Sequence, residues 1–324
     1  MPRILLVKTS SLGDVIHNLP VVSDIRARYP GALIDWVCET PYCELVELHP
    51  GVRKALPVNL RHLMRHLLSL SAWSMFLACK RAIGREKYDV VIDTQGLTKS
   101  AWIATFARGG RAGYDRASAR EPLASRFYGT RSHVPRDLHA VVRNRMLAAA
   151  SLGYTYDEQR CDYGLQPSRA ALPWLPAGRC AVMLHATSRA DKLWRDADWI
   201  ALGAWLDSQG LHTVLPWGND AEKIASERLA AAMPNAVIAP RMSLAQAAQL
   251  LADAALVVGV DTGLAHLAVA VGAPAIGIYT STDPGLTGLY SALAARDKVV
   301  NLGGSGSIPD CSSVIAAAAR MLGA

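Results

Sequence analysis

Three short segments of this chain gather residues able to move a proton or hold a phosphate. The first, Lys8-Thr9-Ser10-Ser11-Leu12-Gly13-Asp14-Val15-Ile16-His17, follows an apolar run at residues 3–7 and opens a stretch of helical spacing with a small, polar, glycine-containing turn. Asp14 therefore lies near a helix N-terminus at the carboxyl end of a buried strand, the edge where open α/β sheets bind ligands. Two readings of Asp14 stand side by side. It caps the helix by accepting a backbone N–H, which spacing alone favours, or it is a general base tuned by burial and neighbours. His17, one helical turn on, is placed to do the tuning. The second segment, His185-Ala186-Thr187-Ser188-Arg189-Ala190-Asp191-Lys192, offers two hydroxyls and a cation after another apolar run. That is a toolkit for phosphate oxygens, although in isolation a polar surface loop is the simpler account. In the third, Val260-Asp261-Thr262-Gly263-Leu264-Ala265-His266, Gly263 allows close backbone approach and the following helix presents N–H groups to an anion. A tight turn capped by Asp261, with His266 satisfied in the core, explains it equally well.

Other arrangements point away from chemistry. Asp196-Ala197-Asp198 has the look of a divalent-metal pair, but it precedes an amphipathic stretch, where Asp196 as N-cap and Asp198 in the first turn serve the helix dipole. Glu222, near the start of its own helix, has the same capping account, with ribose hydroxyls as a second possible partner. The G-x-G-x-x-G dinucleotide fingerprint is absent from the first strand–turn–helix, which disfavours a nicotinamide enzyme. No G-x-S-x-G elbow or Cys/His signature supports a hydrolytic nucleophile. The six cysteines form no Cys-x-x-Cys pair, so neither a zinc site nor a disulfide framework is expected.

The elements needed to position these segments alternate along the chain. Strands are expected at residues 4–7, 33–37, 55–58, 88–93 and 111–113, with helices from the first turn to about 29, before 49, over 72–85, over 97–108 and over 138–151. A basic stretch at 114–137 reads as a functional loop, and the prolines within 155–176 mark a linker. The alternation then restarts: strands at 180–185, 213–215, 236–238, 256–260 and 275–279, helices at 196–208, 221–233 and 264–271, a Ser243-x-x-Gln246 capping box, and a terminal helix at 314–322 free to return to the first half. This is an α/β chain of two doubly wound, Rossmann-like domains, 1–160 and 161–324.

Composition narrows the class. Half the residues are hydrophobic and a fifth charged, as in soluble globular proteins. The longest apolar stretch, 254–279, is interrupted by Asp261, His266 and Pro274, so no membrane span is expected, and the absence of a leader pattern points to the cytoplasm. Charge is uneven: residues 1–160 carry 23 Lys+Arg against 14 Asp+Glu, whereas 161–324 carry 11 against 13. An anionic partner for the first half follows. Nucleic acid is disfavoured, because zinc-finger spacing and aromatic-rich binding motifs are missing.

Taken together with Asp93-Thr94-Gln95-Gly96-Leu97-Thr98-Lys99-Ser100, Ala119-Arg120-Glu121-Pro122-Leu123-Ala124-Ser125 and Leu215-Pro216-Trp217-Gly218, the three segments closely resemble the lipopolysaccharide ADP-heptose heptosyltransferases, as far as about Gly288. The resemblance implies the GT-B architecture, two Rossmann-like domains facing each other across a cleft. It also implies inverting transfer of L-glycero-D-manno-heptose from ADP-heptose to the inner 3-deoxy-D-manno-octulosonic acid (Kdo) of Kdo2-lipid A. Under it Asp14 becomes the general base. Thr187, Ser188, Lys192, Glu222, Asp261, Thr262, Gly263 and His266 bind the donor, and Arg61, Arg120 and Arg143 the acceptor. No metal and no cofactor are expected, and the protein acts as a monomer touching the inner membrane peripherally. Near Arg61 the chain departs from the family pattern, with His62 and Met64 where relatives carry more arginine; Ser188 replaces a common threonine but keeps the hydroxyl. A relative using a heptosylated acceptor or another donor, and an inactive nucleotide- or glycan-binding module, are the alternatives.

Overall fold

Apolar runs of about five residues bounded by turn formers are too short for stable helices and instead pair as buried parallel strands. In a computed structural model that describes residues 1–59, 69–168 and 170–324, the chain divides into two α/β units, Met1–Gln166 and Pro167–Ala324. The first sheet comprises β1 (Arg3–Val7), β2 (Leu33–Glu39), β3 (Val52–Val58), β4 (Lys87–Asp93), β5 (Arg108–Tyr114) and β6 (Thr130–Ser132), in the order 3-2-1-4-5-6. The second comprises β7 (Cys180–Leu184), β8 (His212–Leu215), β9 (Ala236–Ile238), β10 (Leu256–Val260), β11 (Ala275–Tyr279) and β12 (Val299–Gly303), in the order 12-11-10-7-8-9. Every neighbouring pair is parallel. Strand order reverses between β1 and β4 in one sheet and between β7 and β10 in the other, so each sheet has its ligand-binding crevice beyond the carboxyl ends of those strands.

Among the described residues the helices are α1 (Leu12–Ile16), α2 (Leu19–Arg28), α3 (Cys43–Glu47), α4 (Leu70–Gly84), α5 (Thr98–Ala104), α6 (Ala140–Leu152), α7 (Asp196–Ser208), α8 (Asp220–Ala231), α9 (Leu244–Asp253), α10 (Gly263–Ala270), α11 (Pro284–Thr287) and α12 (Cys311–Leu322). Leu5, Val7, Val37, Val91 and Ile103 pack with Ile83 of α4 in the first core. Trp194, Trp199, Leu202 and Leu206 pack on β7, β10 and β11 in the second. Within the second unit α12 buries Val314, Ala317 and Ala318 against α7, β10 and β11. The Ser243–Gln246 capping box forms as expected. No helix among the described residues is long and apolar enough to cross a membrane.

Three expectations are corrected. The helix expected from the first turn to 29 is two helices, because Pro20 falls in the first turn of α2 and cannot donate an N–H to a continuing ladder. The helix expected over 97–108 ends at Ala104, and the strand after it begins at Arg108 rather than 111. The loop at 114–137 contains a 3-10 segment, Pro122–Phe127, and strand β6.

One tether ties α2 to α6. Arg145 is buried, donates through Nε (2.7 Å) and Nη2 (2.9 Å) to the two carboxylate oxygens of Asp24, bonds the Asp157 carbonyl and lies 4.4 Å above the Tyr156 ring. Burial pushes the Asp24 carboxyl up while Arg145 pulls it down. Arg145→Met leaves that carboxylate without its cation and is expected to lower unfolding free energy by about 3–5 kcal/mol. Urea titration at neutral pH checks this; a loss below 1 kcal/mol, about that of an exposed pair, would show the tether to be dispensable.

Candidate active site

The turn after β1 is held from three sides. Lys8 is buried and donates from Nζ to the Thr94 carbonyl (3.0 Å) and Asn144 Oδ1 (3.3 Å). Burial draws its ammonium below the usual lysine range, while Asp14 and Asp93 oppose that shift. Gln95, in the loop just after β4, accepts from Thr9 N (2.6 Å) and Thr9 Oγ1 (2.7 Å) and donates to the Ser10 carbonyl (2.5 Å). Buried Asp93 accepts from Tyr128, Ser100 and the N–H groups of Gln95 and Gly96. Burial raises its carboxyl above the usual range against the lowering effect of those donors. The two loops flanking the first crevice are thus locked together.

Asp14 is the third residue of α1. Its Oδ2 accepts the Ser11 N–H at 3.0 Å, closing a capping box, and lies 4.0 Å from Arg120 Nη1. The carboxylate does cap the helix, yet only Oδ2 is engaged by described residues, and the side chain is 28% exposed. One oxygen thus orients the group and leaves the other for a proton. Arg120 reaches it because Glu121 docks on the β4 loop: Glu121 N–H bonds the Gly96 carbonyl and Glu121 Oε2 accepts the Thr98 N–H at 2.7 Å. Gly96 has φ +67°, and a Cβ there would sit 3.0 Å from the Tyr114 ring, so glycine is required for this docking. Arg143 donates to the Pro135 and Ser118 carbonyls and stacks 4.9 Å from the Tyr114 ring centre. It braces the loop that presents Arg120. The buried ring of His17 packs edge-on against His139. Arg61, with His62 and Met64, lies outside the described residues.

At the second crevice the loops after β7 and β10 meet on Asp261. Its Oδ2 accepts from Lys192 Nζ (2.6 Å) and Thr282 Oγ1 (2.7 Å), its Oδ1 lies 3.8 Å from His266 Nε2, and its carbonyl accepts from Thr187 Oγ1 (3.1 Å). Burial would raise the Asp261 carboxyl, but His266, Lys192 and Thr282 together hold it well below the usual range. The carboxylate is therefore ionised and aligns the lysine. Asp261 is not the helix cap: Thr262 takes the N-cap position and Gly263 begins α10. Ser188 is exposed beside half-buried Thr187, and His185 ties the loop to α8 through Ser226 Oγ at 2.8 Å. Burial lowers the pKa of that imidazole. Glu222 accepts from Gly218 N and Asn219 Nδ2, both at 2.7 Å, which fixes it at the start of α8 beside the β8 loop.

Asp196 and Asp198 bond Arg228 and Arg195 respectively, and Arg195 rather than Asp196 is the N-cap of α7. Among the described residues no group of three His, Cys, Asp or Glu side chains is arranged to hold a metal. Sequence reasoning assigned no role to Lys8, Gln95, Thr280 or Thr282. Thr280 Oγ1 bonds the Asp191 carbonyl at 2.6 Å and, with Thr282, supports the second crevice from the β11 loop. Their signal was a cluster of hydroxyls directly after a buried strand.

Comparison with known proteins places this geometry. The family model described as glycosyltransferase family 9 (heptosyltransferase) matches residues 76–312. The chain is 40% identical over 320 residues to lipopolysaccharide heptosyltransferase 1 of Escherichia coli K12, covering 96% of this chain and 100% of that protein. It is 44% identical over 292 residues to lipopolysaccharide heptosyltransferase 1 of Pseudomonas aeruginosa, covering 89% and 81%. Among solved structures, E. coli heptosyltransferase WaaC with ADP superposes with a TM-score of 0.89 at 38% identity, covering 98% of this chain and 99% of that one. E. coli ADP-heptose heptosyltransferase II shares the fold, with a TM-score of 0.76 at 20% identity.

Proposed function

Because the chain belongs to glycosyltransferase family 9, the heptosyltransferases, we propose that it transfers L-glycero-D-manno-heptose from ADP-heptose to the inner Kdo of Kdo2-lipid A, with inversion and with Asp14 as general base. Its two Rossmann-like units make the GT-B architecture. In the proposed division of labour the first unit takes the acceptor and the second the donor. The observation carrying the reading is the pair of crevices: a half-exposed carboxylate beside an arginine in one, and a lysine aligned by an ionised aspartate among hydroxyls in the other. The E. coli relative has been solved with ADP and with ADP-2-deoxy-2-fluoro heptose, which supports the same donor here.

In the reaction Asp14 takes the proton of an acceptor hydroxyl. The oxygen attacks the anomeric carbon from the face opposite the diphosphate, and the bond between that carbon and the diphosphate oxygen breaks with its electron pair leaving on ADP. A single displacement of this kind inverts the anomeric centre. The leaving diphosphate gains charge, which Lys192, Thr187, Ser188 and the N–H groups opening α10 at Thr262 and Gly263 are placed to stabilise. His266 and Asp261 hold that lysine in line, and Glu222 receives the ribose. No cofactor or metal enters this scheme. Arg120, with Arg61 and Arg143, attracts the phosphates and carboxylates of the acceptor, and the acyl chains of that acceptor keep the monomeric enzyme at the cytoplasmic face of the inner membrane. Nucleic acid has no part in this scheme.

The test is ADP release from ADP-heptose by the full chain in EDTA, with and without Kdo2-lipid A. Acceptor-dependent release is expected. Donor binding without release would overturn the reading in favour of a binding module, and release only with a heptosylated acceptor would move the protein to a later transfer step.

Arg120 gives a second check. Loss of a charge-assisted contact of about 1.5–3 kcal/mol in Arg120→Ala should raise the acceptor KM about 10- to 100-fold, flatten its dependence on salt, and leave ADP affinity unchanged. Equal losses for ADP and acceptor in steady-state and calorimetric titrations would contradict the assignment.

A further inference from the structure

Residues 48–85 contain seven Lys and Arg and no Asp or Glu, and α4 lies in the described part of this stretch. Its inward face, Cys79, Ala82 and Ile83, packs on the core of the first unit. An amphipathic surface helix turns polar residues outward, but the outward stripe of α4 at i, i+4, i+7 and i+8 is Trp73, Leu77, Lys80 and Arg81. Trp73 and Leu77 are each 44% exposed. Phe76 stacks flat on Trp102 of α5, 5.5 Å between ring centres, and Trp102 remains 42% exposed while packing edge-on against Phe106 at 4.8 Å. Lys80 Nζ lies 5.6 Å from the Phe106 ring centre. A groove of about 520 Å³ beside them is lined by Leu77, Lys80, Arg81, Gly84, Phe106 and Arg108.

We infer that this patch is the surface by which the protein docks on an anionic lipid bilayer. Arg53 and Lys54 are paired with Asp35 and Glu86, but Trp73 and Leu77 sit beside Lys80, Arg81 and Arg108, which have no acidic partner among the described residues; poorly solvated apolar side chains among such cations are the combination that seats a helix in the headgroup layer of a negatively charged leaflet. A protein partner of ordinary composition would answer the apolar residues but not the cations Lys80, Arg81 and Arg108 that line the groove. The patch shares α5 with the first crevice. Thr98 at the start of α5 is bonded to Glu121, the neighbour of Arg120, and Trp102 lies one turn further along the same helix, about 6 Å of rise. From there the patch runs along α5 towards the amino ends of the strands, where Phe106 and Arg108 lead into β5 and Arg108 pairs with Lys87. Choice of lipid as partner rests on the acceptor proposed above, whose acyl chains end in such a bilayer.

The experiment is flotation of the full chain with acceptor-free vesicles of phosphatidylcholine, with and without phosphatidylglycerol. Binding only to the anionic vesicles is expected, weakening about fivefold for each cation removed in Lys80→Ala and Arg81→Ala. It should be lost in Trp73→Ser/Leu77→Ser with ADP affinity and circular dichroism unchanged. Equal flotation of these variants would overturn the assignment, as would a wild-type protein that ignores anionic vesicles or a dimer that dissociates on the same substitutions. Because the vesicles lack acceptor, turnover in detergent without flotation refutes only the docking surface, and flotation without turnover refutes only the heptosyl transfer.

Discussion

Replacing Asp14 by asparagine is expected to lower turnover by about 10²- to 10⁴-fold, the range for losing a positioned general base, with ADP affinity unchanged. Asparagine is the informative choice because Asp14 has two tasks. Its Oδ2 accepts the Ser11 N–H and so closes the cap of α1, and an alanine would remove the cap together with the base, at about 1 kcal/mol of helix stability. An asparagine carbonyl still accepts the Ser11 N–H but holds no proton-accepting charge. The variant should melt like the wild type, bind ADP like the wild type in calorimetry, and release ADP from ADP-heptose at the residual rate. Near-normal turnover would leave Asp14 only its capping role.

That double duty shows what the sequence could convey. Spacing alone favours a cap, and the cap is there; the motif argues for a base, and the second oxygen, which no described residue engages while Oδ2 faces Ser11 and Arg120, leaves room for it. The strands at both switch points, β1, β4, β7 and β10, were legible because a strand covered on both faces is a continuous apolar run. The two strands that the apolar runs do not reveal, β6 and β12, both lie at sheet edges and hold only half-buried and exposed residues, so their runs blend into loops. For Asp261 the sequence leaves a cap and a ligand turn open, because Asp and Thr are both good N-caps and spacing does not choose between neighbours; the chain gives the cap position to Thr262 and turns Asp261 towards Lys192. Lys8 and Gln95 were unassigned for another reason. Their partners, Thr94, Asn144, Thr9 and Ser10, lie 85 to 136 residues away in sequence, and only the parallel pairing of β1 with β4, with α6 packed against that sheet, brings them together.

Lys192→Met is expected to cost about 10²- to 10³-fold in kcat, the range for removing one preorganised donor from developing charge, and to weaken ADP binding as well. The lysine also neutralises Asp261, which is buried and held below the usual carboxylate range against its burial, so the substitution should destabilise the fold. The pH dependence of that loss has a definite sign. A carboxylate whose native pKa is depressed contributes stability that is fully present above its unfolded pKa and lost as pH falls through the native one. The deficit of Lys192→Met in denaturant titrations should therefore be full at pH 7 and narrow as the pH drops below the ordinary carboxylate range. Combining Lys192→Met with Asp261→Asn separates the two tasks. The double variant has no buried charge left to neutralise and should regain stability at pH 7, but it still lacks a cation for the departing diphosphate and should remain catalytically impaired. Recovery of turnover together with stability would mean that Lys192 serves Asp261 alone, and the stabilisation of leaving ADP would have to come from Thr187, Ser188 and the start of α10.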